Sequence, residues 1–287
     1  MRTPLHTPEF RTWLAGDGYS LRGRYWAPPG PPPTHAILYL HGIQSHGGWY
    51  EWSGSLLGRA GAAVVMPDRR GSGLNSDARG DVPHRRRWIN DLNEIVDCLL
   101  QEGIRSLDVV GVSWGAKLAL TWALQAPQLL RRILLVTPGI FPAVDLPPRA
   151  RLGVAGALLT NPQTRFPIPL NDAALFTDNP AGREFITRDP LKLTEVSAAF
   201  LWHSRRLDRA LIEAPDGALH IPATLLLAGH DRIIRNQPTQ AWTARVAGAG
   251  LHQQFFESAS HTLEFEADVS AYEQFLLSWS AAVGRGA

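Results

Sequence analysis

Residues 111–115 read Gly-Val-Ser-Trp-Gly, after the apolar run Leu107–Val110 and before the helix-like stretch Ala116–Ala126. A serine between glycines at a strand-to-helix turn is the setting of a nucleophile elbow, in which a strained turn lifts one hydroxyl above a parallel sheet. A serine hydroxyl is a poor nucleophile at neutral pH. It needs a base to take its proton, and a carboxylate to hold that base in one tautomer. Asp231 stands just past the apolar run Thr224–Ala228, and His261 just after Gln254–Phe256. Each of Ser113, Asp231 and His261 therefore falls at the C-terminal end of an expected strand, and all three should meet on one rim. The chemistry would be attack on an acyl carbon, a covalent acyl-serine, and its hydrolysis by water.

The other histidines fit this part less well. His230 precedes the acid, where the base should follow it, and His220 and His252 read as lying before strands, at the wrong edge. A tetrahedral intermediate also needs fixed N–H donors for its oxyanion. One is expected from the backbone of Trp114, the residue after the serine. The other is expected from Ile43, in the loop His41-Gly42-Ile43-Gln44-Ser45-His46-Gly47-Gly48 that follows the run Ala36–Leu40. A phosphate-binding reading of this loop is disfavoured because the Walker lysine and the G-x-G-x-x-G spacing are both missing.

The elements that would hold these residues alternate in type. Phe10–Leu14 and Tyr19–Trp26 flank Gly16-Asp17-Gly18 and read as a hairpin. Short apolar runs at Ala36–Leu40, Ala62–Met66, Leu107–Val112, Ile133–Val136, Thr224–Ala228 and Gln254–Phe256 alternate with helical patterns. Such alternation implies an α/β fold, a mostly parallel sheet with helices on both faces. Two helices show apolar stripes: His84–Gln101, ended by Gly103, and Ala267–Val283. The rhythm breaks between Gly139 and Pro222, a proline-rich stretch with helical patterns at Arg149–Thr160 and Leu193–Ile212. It is too long for a plain loop. The expected organisation is a core of residues 1–139 and 216–287 with a helical cap, 140–215, over the carboxyl edge of the sheet. The second cap helix carries Val196, Phe200, His203, Leu207 and Leu211 on one stripe, and Phe200, His203 and Leu207 are candidate substrate-lining residues along with His46 and Trp49.

Composition bounds the partners. With 45% hydrophobic and 19% charged residues, the 287-residue chain can bury a sizeable core. The formal charge of +2 is spread along the chain, so nucleic acid is not an expected partner. The one tight basic cluster, Arg85-Arg86-Arg87, reads as a solvated helix start. Cys98 is the sole cysteine, which rules out an intramolecular disulfide and a cysteine-based zinc site, and it reads as a buried spectator thiol. Met1–Trp13 lacks a basic segment followed by an apolar run, and no window holds about 18 consecutive apolar residues, so neither a signal peptide nor a membrane span is expected. The expected setting is cytoplasmic, with no metal or organic cofactor.

At these residues the chain resembles the α/β-hydrolase superfamily, and most of all its monoacylglycerol lipase and lysophospholipase-like branch. That branch carries an H-G-x-x-x-H loop, matched by His41, Gly42 and His46, and a D-x-R-G-x-G segment, matched by Asp68, Arg70, Gly71 and Gly73. The resemblance covers roughly residues 10–139 and 220–283. It implies Ile43 and Trp114 as oxyanion donors and a structural part for Asp68–Gly73. The expected activity is hydrolysis of small-molecule carboxylic esters, lipid-like or of short to medium acyl length, through a Ser-Asp-His triad. The alternatives are an amidase, aminopeptidase or C–C bond hydrolase on the same scaffold and, more remotely, a non-catalytic binding module. An aminopeptidase would want an acidic pair in the cap to hold the substrate ammonium.

Overall fold

The computed structural model describes residues 2–281. The chain opens with the hairpin β1 (Glu9–Leu14) and β2 (Ser20–Trp26), turning through Gly18 at φ 82°. Next come β3 (His35–Leu40), α1 (Glu51–Arg59), β4 (Ala63–Pro67), α2 (Arg85–Gln101), β5 (Ser106–Val112), α3 (Gly115–Gln125) and β6 (Leu130–Val136). An excursion then carries α4 (Pro148–Thr160), β7 (Arg165–Pro167), α5 (Pro180–Arg188), β8 (Glu195–Ser197) and α6 (Ala198–Ile212). The chain returns through β9 (Ala223–Ala228), α7 (Asn236–Ala247), β10 (Leu251–Phe256) and α8 (Ser270–Ala281).

Eight strands form one sheet in the order β1-β2-β4-β3-β5-β6-β9-β10. Only the β1–β2 and β2–β4 pairs are antiparallel. Every parallel pair runs the same way, so β3, β5, β6, β9 and β10 deliver their following loops to one edge. The central strands are mostly apolar, as strands covered on both faces must be, with the buried Asp108 of β5 paired to Arg132 of β6. Ala36–Tyr39, Ala63–Met66 and Ile133–Leu135 are all fully buried.

Several local readings need correction. The helix expected from Leu193 starts at Ala198, because Glu195–Ser197 pairs as a strand with Arg165–Pro167 and the Ser197 hydroxyl caps the helix by accepting from Phe200 N at 2.9 Å. A third helix, α5, begins with Asn179 as its cap and Pro180 in its first turn, a start signal present in the sequence. His252 lies inside β10 rather than before it; this is an edge strand with mostly exposed side chains, so its apolar run looks short. Of the expected solvated cluster only Arg86 is exposed, while Arg85 and Arg87 are half-buried. Arg87 reaches Asp91 Oδ1 at 2.8 Å and also pairs with Glu94. Cys98 is half-buried. The last two residues of the expected C-terminal helix, Ala282 and Val283, lie outside the described residues.

Candidate active site

Ser113 follows β5 with φ 51°, in the left-handed region that non-glycine residues seldom enter. Its neighbours make the turn possible. A Cβ at Gly111 would lie 2.6 Å from Ala116 Cα, and one at Gly115 would overlap the Leu40 and His41 carbonyl oxygens. The strained turn is tied to the next strand: Ser113 N donates to Val136 O at 2.9 Å, and Gly139 N donates to Ser113 O at 2.9 Å. This anchoring over-determines the serine's position, as a strained backbone requires.

His261 and Asp231 reach the same rim from the loops after β10 and β9. His261 Nε2 lies 2.9 Å from Ser113 Oγ, and Nδ1 lies 2.8 Å from Asp231 Oδ2. An ionised carboxylate can only accept, so Nδ1 carries the proton and Nε2 is left to accept from the serine. Asp231 Oδ1 takes the backbone N–H groups of Ile233 and Ile234 at 2.8 and 2.9 Å. Thr137 Oγ1 donates to His261 O at 3.0 Å and fixes the backbone behind the ring. The His261 and Asp231 side chains are 2% and 0% exposed, which keeps water from competing for the carboxylate.

The loop after β3 closes the other side. His41 Nε2 accepts from Arg69 N at 2.8 Å and its Nδ1 donates to Gly42 O at 2.8 Å, while burial pulls its pKa well down and keeps it neutral. The N–H groups of Ile43 and Trp114 have no protein acceptor among the described residues, and both residues line the cavity beside Ser113. Two free donors next to a serine are what a developing oxyanion would need.

That cavity measures about 280 Å³. Its apolar wall includes Val144, Leu146, Val154, Ile168, Leu170, Leu201, Ile233 and Ile234. Its charged side chains are already engaged in part: Lys117 pairs with Asp208 at 2.6 Å and Arg151 with Asp145 at 3.0 Å.

None of the five expected substrate-lining residues stands on this wall. Phe200 and Leu207 are 0% and 2% exposed, packed inward. The Phe200 ring lies 5.0 Å from Trp88 and stacks on Trp114 at 5.4 Å. His203 packs edge-on against His84 at 5.0 Å, on the α2 side. His46 donates to Asp189 at 3.0 Å and Trp49 Nε1 donates to the same oxygen at 2.6 Å. Burial works to raise the Asp189 pKa, but these two hydrogen bonds hold it below the ordinary value. Both residues thus tie the β3 loop to the excursion instead of facing the cavity. The α6 residues on the wall are Leu201, Trp202, Ser204, Arg205 and Asp208. Lys117, one helical turn beyond Ser113, was legible by its spacing and was missed.

Among the described residues there is no group of three or more His, Cys, Asp or Glu side chains placed to hold a metal ion, and no helix long and apolar enough to cross a membrane.

A family model described as serine aminopeptidase, S33, matches residues 31–268. The chain belongs to this family. It is therefore a serine hydrolase of the α/β-hydrolase fold. Over 264 residues it is 21% identical to phospholipase YtpA of Bacillus subtilis, a match covering 88% of this chain and 100% of YtpA. It is 26% identical over 235 residues to the uncharacterized protein YnbC of Escherichia coli, covering 79% of this chain but only 39% of YnbC. In fold it is similar to a soluble variant of the monoglyceride lipase of Saccharomyces cerevisiae, solved with a substrate analogue. That match has a TM-score of 0.83 at 17% identity and covers 98% of this chain and 97% of the lipase.

Proposed function

We propose that the protein hydrolyses carboxylic esters with an apolar acyl group through an acyl-Ser113 intermediate. The observation that carries this reading is the unbroken hydrogen-bond chain from Ser113 through His261 to Asp231, opening on a largely apolar cavity. His261 takes the serine proton as Oγ attacks the ester carbonyl, and Asp231 steadies the imidazolium that forms. The N–H groups of Ile43 and Trp114 receive the oxyanion. Collapse expels the alkoxide, which leaves as the alcohol with the proton from His261. Water then attacks the acyl-enzyme with the same histidine as base. Residues 140–215 act as the cap that selects the acyl group, because most of the apolar wall comes from them.

The family description favours a second reading, an aminopeptidase. Such an enzyme needs carboxylates free to hold a substrate ammonium, yet Asp145 and Asp208 on the cavity wall are each already paired with a cation. Esters are therefore the preferred substrates. Initial rates with p-nitrophenyl esters of increasing chain length, beside aminoacyl p-nitroanilides, test this directly. Faster turnover of the esters supports the proposal, and anilide turnover with no ester turnover would overturn it.

A further inference from the structure

Arg69 is a buried cation with no carboxylate partner among the described residues. Only 8% of it is exposed, and it stands in no ion pair. Its neighbour Asp68 is occupied elsewhere, by Arg24, Gly47 N and Leu74 N. A guanidinium in such a place is costly unless something compensates it. Burial lowers its pKa, but the charge of the nearby Asp68 opposes this, and it falls only to about 9, so the charge remains at neutral pH.

Its hydrogen bonds go to the β3 loop. Arg69 Nη1 donates to Gly42 O at 3.1 Å and Nη2 to Ile43 O at 2.9 Å, so the fork grips two successive carbonyls. The guanidinium carbon also sits 4.5 Å from the Trp114 ring centre and 5.4 Å from that of Phe200. The first carbonyl is the informative one. Gly42 C=O and Ile43 N–H belong to one amide, and with no cis peptide in the described chain they point in opposite directions. Arg69 and His41 therefore bind the back of the same amide whose N–H belongs to Ile43, a residue lining the cavity beside Ser113.

We propose that Arg69 is a positioning residue for the oxyanion site, fixing the direction of the Ile43 N–H and polarising its amide with a permanent positive charge. This rests on the reading of Ile43 as an oxyanion donor. The contact matters only when negative charge appears on the substrate oxygen, so it strengthens binding of the transition state over that of the substrate. Trp114, the other donor residue, is braced by the same cation through its ring. One side chain thus holds both halves of the site.

The test compares wild type with Arg69→Gln and Arg69→Lys, measuring kcat and KM on one p-nitrophenyl ester and the affinity for an alkyl boronic acid, whose serine adduct places an oxygen in the oxyanion site. Arg69→Gln should lower kcat roughly 10- to 100-fold, less than the loss of a donor itself, with KM unchanged and boronate affinity reduced alongside. Arg69→Lys keeps the charge but not the fork, and should lose roughly 3- to 10-fold. If the Gln variant does not fold, the Lys variant decides by the same two readouts. Wild-type kcat and boronate affinity in the folded variants, or a change in KM alone, would overturn the proposal while a dead Ser113→Ala variant leaves the serine mechanism intact. A Ser113→Ala variant that still turns over ester would overturn the mechanism and this proposal together.

Discussion

Lys117 Nζ lies 2.6 Å from Asp208 Oδ1, joining the helix that begins beside the serine to α6, which lines the cavity. Both side chains are buried, 7% and 8% exposed, so neither is well solvated without the other. Removing one partner leaves a buried uncompensated charge, and Asp208→Ala should destabilise the fold by about 3–5 kcal/mol. The double replacement Lys117→Met with Asp208→Leu should recover most of that loss, since an apolar pair carries no such penalty. Urea unfolding of wild type, Lys117→Met, Asp208→Leu and the double variant in a double-mutant cycle, with Asp208→Ala alongside, checks both statements. Equal, additive losses would mean that the two charges do not act as a pair.

The two faces of α6 should separate stability from selectivity. Phe200 is wholly buried against Trp88 and Trp114, so Phe200→Ala should cost about 3–5 kcal/mol. Its preference among acyl lengths should stay that of the wild type. Leu170→Trp, on the cavity wall, should instead shift turnover toward shorter acyl chains. Chain-length profiles of the folded variants give the answer, and a shift in the first with none in the second would reverse the assignment of the faces.

The meeting of Ser113, Asp231 and His261 was legible because each sits in a local pattern that can be read without the fold: an apolar run, a turn, and a fixed chain order. The cavity wall was not. The stripe Val196, Phe200, His203, Leu207 and Leu211 looks like a face for an apolar substrate, but most of it is used to pack the excursion on the core, with Val196, Phe200, Leu207 and Leu211 all buried. The cavity is left with the flank from Leu201 to Asp208, whose mixed polarity resembles a solvated face. Arg69 was hidden for a similar reason. Its motif neighbours Asp68 and Arg70 stand out in the sequence, while its grip on the Gly42 and Ile43 carbonyls exists only once the loops meet.

Glu264 gives the fold a pH dependence. Burial pushes its carboxyl up from the ordinary 4.5 to about 7, against hydrogen bonds from Ser53, and Tyr39, Tyr50 and Tyr272 crowd the same pocket with Arg2 nearby. Below the lower value both folded and unfolded chains are protonated there. As pH rises toward about 7, only the unfolded chain releases the proton, so stability is lost across this window and is level above it. Glu264→Gln cannot ionise and escapes that loss. Relative to wild type, the variant should gain on the order of 3 kcal/mol between the two ends of the window. Denaturant unfolding at both pH values measures the gap, and a gap that does not change would show that Glu264 stays ionised in the fold.

The account turns on Ser113 being the covalent nucleophile, and intact-protein mass spectrometry after exposure to a fluorophosphonate tests it most directly. The wild type should gain one adduct, mapped by proteolysis to the peptide containing Ser113. His261→Ala should gain it far more slowly, because the hydroxyl has lost the base 2.9 Å away. Ser113→Ala should gain none and should lose turnover by roughly 10⁴- to 10⁶-fold. An adduct of the same mass forming at the wild-type rate in Ser113→Ala would contradict the account.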